Sequence, residues 1–124
     1  MPVSRIVVAA VALSSAALAL AGPAAAAPPS GNFTATVTSA SGMVPTSVGE
    51  TMVWALTPCG ADCTHLEINP PNARGQEDLH LQAGSWVGGV NPVGCTRTIN
   101  ADVTSATEAC GANGTVQYAI TRNG

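Results

Sequence analysis

Residues 51–68 read TMVWALTPCGADCTHLEI, and this stretch decides the fold. Apolar side chains occupy every second position on both sides of a short Cys/Gly segment, which is the period of a strand with one buried face. We therefore predict a strand over Thr51–Thr57, a tight turn, and a second strand over Thr64–Ile68. The side chains expected to face inward are Met52, Trp54, Leu56, Leu66 and Ile68.

The same alternation continues on both sides of this hairpin. Phe33–Thr38 places Phe33, Ala35 and Val37 on one face and threonines on the other, and Asn113-Gly114 is a two-residue hairpin signal. No stretch after residue 27 keeps the 3.6-residue apolar period of a helix, although Asp102–Cys110 has room for a short helical turn. The remaining predicted strands are Glu77–Leu81, Trp86–Val90, Cys95–Ala101 and Thr115–Thr121, the last with Val116, Tyr118 and Ile120 facing inward.

These patterns predict an all-β domain over residues 32–124. We expect a small antiparallel meander that closes into a barrel or a sandwich, with both Trp54 and Trp86 in its core. We expect residues 27–31 to form a flexible Pro/Ser/Gly tether in front of it.

The four cysteines, an even number in a small domain, predict two disulfides. Three pairings are possible. We favour Cys59 with Cys63, across the base of the tight turn, and Cys95 with Cys110. A zinc site would need a fourth ligand beyond Cys59, Cys63 and His65, and the x3 spacing differs from the C-x-x-C of thiol oxidoreductases.

Residues 1–26 have the pattern of a secretory signal peptide. Arg5 precedes the uncharged run 6–20, which is short for a bilayer span, and small residues lead to a cleavage site after Ala26. We expect export to the extracellular space or cell envelope, without stable membrane insertion after processing.

The charge of the chain after this leader is acidic. Only Arg74, Arg97 and Arg122 oppose the seven acidic residues, and the chain contains no lysine. Such a balance argues against nucleic acid and anionic membranes as partners. A partner at the envelope or at a host surface stays open.

Three segments, FTATV at 33–37, VWALTPCGADC at 53–63 and LHLQAGSW at 79–86, resemble small exported proteins of mycobacteria and related actinobacteria. In that family a W-x3-P-C-G-x2-C turn precedes an L-x-x-G-x-W hairpin and a second cysteine pair. The resemblance implies export, β structure and the same disulfide pairing, and it implies no activity.

One group of polar residues has the composition of a metal site. His65 and Glu67 flank Leu66, and Asp78 and His80 flank Leu79, so each pair lies on one strand face. If residue 65 pairs with 80, two imidazoles and two carboxylates come within roughly 5–8 Å. The alternative is an ordinary solvated sheet face, and we expect neither a bound metal nor a cofactor.

Catalytic motifs are weak in this chain. There is no Gly-x-Ser-x-Gly elbow, and His65 and His80 are the only histidines. We therefore expect a non-enzymatic binding or structural module. The alternatives are a barrel that carries an apolar ligand and, third, a metal-binding or hydrolytic protein that uses the two histidines.

Overall fold

The computed structural model describes residues 27–69 and 75–124 and shows eight antiparallel strands that close into a barrel. Each strand pairs with the next along the chain, and the last returns to pair with the first. The predicted all-β meander is confirmed, and it closes as a barrel. The strands are β1 Gly31–Ala40, β2 Thr51–Gly60, β3 Cys63–Asn69, β4 Gln76–Gln82, β5 Ser85–Gly88, β6 Thr96–Asn100, β7 Ser105–Ala109 and β8 Thr115–Arg122.

The inward-facing side chains of the alternating strands fill the barrel. Threonines and other polar residues alternate with buried apolar ones, so each strand contributes one side chain in two to the interior. Trp54 and Trp86 are fully buried there, as predicted. The apolar core comprises Phe33, Ala35, Val37, Trp54, Leu56, Leu66, Ile68, Leu79, Trp86, Ile99, Val103, Ala106, Val116, Tyr118 and Ile120.

The two ends of the barrel differ in their connections. Strands β2–β3 and β4–β5 are joined by tight turns at what we call the closed end, where Ala83 and Gly84 both have positive φ, as a type I′ turn requires. The opposite, open end carries the longer connections between β1 and β2 and between β5 and β6. The open end of the barrel is therefore covered by loops, whereas the closed end is covered by tight turns.

The connection between β7 and β8 corrects one sequence prediction. Asn113-Gly114 is not a two-residue hairpin, because Ala109 pairs with Thr115 and five residues link the strands. Residues Gly111–Asn113 form a 3-10 turn there, closed by the Asn113 amide donating to the Cys110 carbonyl at 3.0 Å. The ambiguous segment before it contains a strand, β7, in its second half.

Both predicted disulfides are present. Cys59 is bonded to Cys63 across the β2–β3 turn, and Cys95 to Cys110 at the open end, so no cysteine is free. Paired cysteines are typical of extracellular proteins, because the cytosol keeps thiols reduced.

The start of the described chain lies against the barrel. Within the predicted tether, the Pro29 carbonyl accepts a hydrogen bond from the buried Thr64 hydroxyl at 2.9 Å, and the Ser30 carbonyl accepts one from Arg122. The predicted signal peptide, residues 1–26, lies outside the described residues. Among residues 27–69 and 75–124, no helix is long and apolar enough to cross a membrane.

Candidate functional site: a cavity at the open end of the barrel

The open end holds a cavity of about 440 Å³. Its mouth lies between the β1–β2 loop, with Val44 and Pro45, and the β5–β6 loop, with Pro92 and Val93. The side chains that line its deeper part are Met52, Ile68, Glu77, Arg97, Glu108, Val116 and Tyr118.

Arg97 is the centre of the cavity floor. Although charged, it is only 8% exposed, because strand β6 points it into the barrel two residues before Ile99. Its Nη2 donates to Glu108 Oε2 at 2.8 Å on the neighbouring strand, and its Nη1 donates to Glu77 Oε2 on β4, across β5. One guanidinium thus ties three strands together through two carboxylates.

Tyr118 belongs to the cavity floor, and the fully buried Trp54 ring packs behind it. The Trp54 ring centroid lies 5.4 Å from the Arg97 guanidinium carbon and 5.0 Å from the Tyr118 ring centroid, and the Tyr118 hydroxyl donates to Glu108 Oε1 at 3.1 Å. Trp54 Nε1 and Arg97 Nε are buried without a hydrogen-bond partner. The charged network of the floor is therefore backed by aromatic rings, and two buried donors in and beside it are unused.

Burial raises the pKa of two groups in this network, Glu77 and Tyr118. It raises the pKa of Glu77 above the ordinary 4.5, against the attraction and hydrogen bond of Arg97, and the Glu108 carboxylate adds to the rise. Burial, followed by the Glu108 charge, also raises the pKa of the Tyr118 phenol. The phenol consequently remains a hydrogen-bond donor at neutral pH.

Gly88 makes room for the ion pair between Glu77 and Arg97. It lies on β5, the strand between β4 and β6, and a methyl group there would collide with Glu77 Oε1 and approach Leu79 Cδ2 to 3.0 Å. Any other residue at this position would displace the Glu77 carboxylate.

Gly88→Ala should lower the free energy of unfolding by about 1–3 kcal/mol, the usual cost of overpacking a core. Gly89→Ala is the matched control, because its added methyl group meets nothing within 4 Å. Urea denaturation of both variants measures the difference. Equal stabilities for the two would contradict the tight fit at Gly88.

The stability of the protein should also depend on pH through Glu77. A carboxyl group whose pKa is higher in the folded chain holds its proton more tightly when folded, so stability falls as pH rises from 4.5 through the folded-state pKa. The groups around it are Arg97, Glu108 and, through Glu108, Tyr118. Urea denaturation across this range should show the wild type losing stability relative to Glu77→Gln as pH rises. Parallel pH curves would refute the assignment.

The predicted quartet of His65, Glu67, Asp78 and His80 does not assemble as expected. His65 lies opposite Asp78 rather than His80, and its Nδ1 is 2.7 Å from Asp78 Oδ1. Glu67 lies opposite Gln76, and His80 opposite Cys63. The predicted register was thus wrong by two residues, and the observed His65–Asp78 pair sits on the outer face, away from the cavity lining.

A second group of potential metal ligands consists of Cys59, Cys63 and Asp78. The two sulfur atoms are joined in a disulfide, so neither is available as a thiolate ligand. In the oxidised protein this group offers a metal only the Asp78 carboxylate.

Sequence reasoning missed three of the residues on the cavity floor. Tyr118 was predicted to face inward, but Glu77, Arg97 and Glu108 were not singled out. The signal was present, because the alternation that buries Leu79 and Ile99 also points the residues two positions earlier, Glu77 and Arg97, into the barrel.

Comparisons of the chain with protein-family models, with curated proteins and with solved structures found no match. The resemblance to exported actinobacterial proteins therefore stays a prediction. The geometry of the cavity is what indicates a function.

Proposed function

We propose that this is an exported binding protein that holds one small, partly apolar molecule in the open end of its barrel. The observation that carries the proposal is the cavity of about 440 Å³. Its volume lies within the ordinary range of ligand pockets, and barrels of eight strands are wide enough to hold one small ligand.

The composition of the lining supports recognition. Met52, Ile68 and Val116 supply apolar wall, while the floor supplies a few fixed polar groups that can orient a ligand. Among the described residues, the lining contains no histidine, and both of its cysteines, Cys95 and Cys110, are in a disulfide. A lining of this composition suits the binding of a ligand better than the catalysis of group transfer.

Two further observations bear on the setting and the binding surface. The signal-peptide pattern at residues 1–26 and the two disulfides support work outside the cytosol. Trp54 and Trp86 are 0% and 1% exposed, so neither ring offers a platform for recognition on the outer surface. The cavity is thus the better candidate for the place where a ligand is recognised.

The proposal is tested with N-phenyl-1-naphthylamine, an uncharged probe whose fluorescence rises in apolar surroundings. We expect saturable binding of one probe per protein. Val116→Phe, which extends a ring from the cavity wall into the cavity, should abolish it. Val53→Phe makes the same change on a strand position that is 37% exposed and does not line the cavity.

The two variants separate the possible results. Circular dichroism first establishes that both are folded, and Val53→Phe should bind the probe as the wild type does. Equal loss of binding in both variants, or binding that Val116→Phe leaves intact, would place the probe elsewhere and refute the proposal.

A further inference from the structure

The charges around the open-end cavity are unequal. Among the described residues, its lining holds three carboxylates, those of Glu50, Glu77 and Glu108, and one cation, Arg97. Because Arg97 binds two of these carboxylates with its two terminal nitrogens and faces the Trp54 ring, it has little left to offer an anion. The cavity therefore carries an excess of negative charge.

One polar atom of the cavity floor also lacks a hydrogen-bond partner. Glu77 uses Oε2 for Arg97, while Oε1, which fills the space left by Gly88, has no hydrogen-bond partner among the described residues. A carboxylate oxygen without a partner, on a residue that lines the cavity, can accept a hydrogen bond from a ligand.

The mouth of the cavity has the opposite character. Val44, Pro45, Pro92 and Val93 line it, and Val93 is 60% exposed although it is apolar. Exposed apolar residues that rim a pocket mark a surface that an apolar partner covers. A ligand that matches both regions has a polar head at the floor and an apolar body toward the mouth.

We propose that the ligand is a small amphiphilic cation, an amine whose ammonium group binds Glu77 and whose apolar body lies against the mouth. This inference rests on the proposed function and names the chemical class that the same cavity takes. An ammonium group donates hydrogen bonds to carboxylates and offsets the negative excess. The desolvation that raises the pKa of Glu77 also strengthens its interaction with a bound cation.

Three probes with the same eight-carbon chain test the inference, namely octylamine, octanol and octanoate, titrated by calorimetry at neutral pH. We expect octylamine to bind about tenfold or more tightly than octanol, because a charge-assisted hydrogen bond replaces a neutral one. Octanoate should bind most weakly. If octanol bound as tightly as octylamine, or octanoate bound more tightly than octylamine, the inference would be overturned while the proposed function stayed intact.

Variants locate the ammonium group. Glu77→Gln should lower the affinity for octylamine about tenfold and change the affinity for octanol by less than about twofold, since only the charged contact is lost. Glu67→Gln, at an exposed position on β3 outside the cavity, should change neither affinity. Unchanged octylamine binding in Glu77→Gln would refute the assignment to Glu77.

Two further results complete the test. If Glu77→Gln fails to fold, Glu77→Asp takes its place: it keeps the charge beside Arg97 but shortens the side chain by one methylene, so it should weaken octylamine while sparing octanol. Equal binding of octylamine to wild type and Glu77→Asp would then count against the inference. Absence of binding by all three probes would remove the proposed function together with the inference.

Discussion

Arg97→Met should lower the free energy of unfolding at neutral pH by about 3–5 kcal/mol, the usual cost of removing one partner from a buried ion pair. Methionine fills a similar length of the barrel but leaves the Glu77 and Glu108 carboxylates beside each other without a cation. The loss should shrink as pH falls, because the Glu77 carboxyl group, whose pKa is raised by burial, can then take up a proton. Urea denaturation at several pH values measures both effects.

Two comparisons distinguish charge from packing in this experiment. Arg122→Met makes the same change at an exposed arginine that stacks on Phe33, and it should cost less than about 1 kcal/mol. The triple variant Arg97→Met, Glu77→Gln, Glu108→Gln removes the stranded charges and should recover much of the loss. A loss that persists unchanged in the triple variant would show that packing, not charge, is responsible.

Replacing Cys95 and Cys110 together with alanine should cost about 3 kcal/mol, since the bridge closes a 15-residue loop in the unfolded chain. The pair Cys59 and Cys63 closes a much shorter loop, and its removal should cost about 2 kcal/mol. Domains are stable by only about 5–15 kcal/mol, so either loss is a large share.

The two double variants are controls for each other. Chain entropy predicts that the longer loop contributes more, whatever the absolute values. Thermal and urea denaturation of both variants, read beside the wild type, give the order directly. A larger loss for the Cys59 and Cys63 pair would contradict this explanation of how the disulfides stabilise the barrel.

The strands and their inward faces could be predicted because alternation is a local property. Trp54, Leu66 and Tyr118 are buried where the period of two places them. The burial of polar residues is harder to predict. An arginine in a strand is ordinarily expected to face solvent, although Arg97, two residues before Ile99, lies on the same inward face. The cavity floor was therefore missed although its strands were found.

The alternation pattern does not predict the register between neighbouring strands. Sliding β4 along β3 by two residues keeps every side chain on its own face, so alternation cannot distinguish His65 opposite Asp78 from His65 opposite His80. Barrel closure is likewise a long-range property. It depends on β1 pairing with β8, where Phe33 lies opposite Arg122 near the two ends of the domain.

Disulfide geometry explains the misplaced hairpin. The Asn113-Gly114 pair suits a two-residue turn, but Cys110 is held by Cys95, and the chain from Cys110 to Gly114 folds into a wider connection. The Asn113 carbonyl instead accepts a hydrogen bond from the Met43 amide at 2.7 Å. A tertiary constraint thus overrode a local turn preference.

The most direct measurement is an amide chemical-shift map of the ¹⁵N-labelled protein titrated with octylamine. If the open end binds the ligand, the largest shifts should fall on cavity residues such as Thr51, Arg97, Glu108 and Tyr118, with Ala83 and Gly84 at the closed end unchanged. Shifts concentrated at the closed end or on the outer face around His65 would contradict the account.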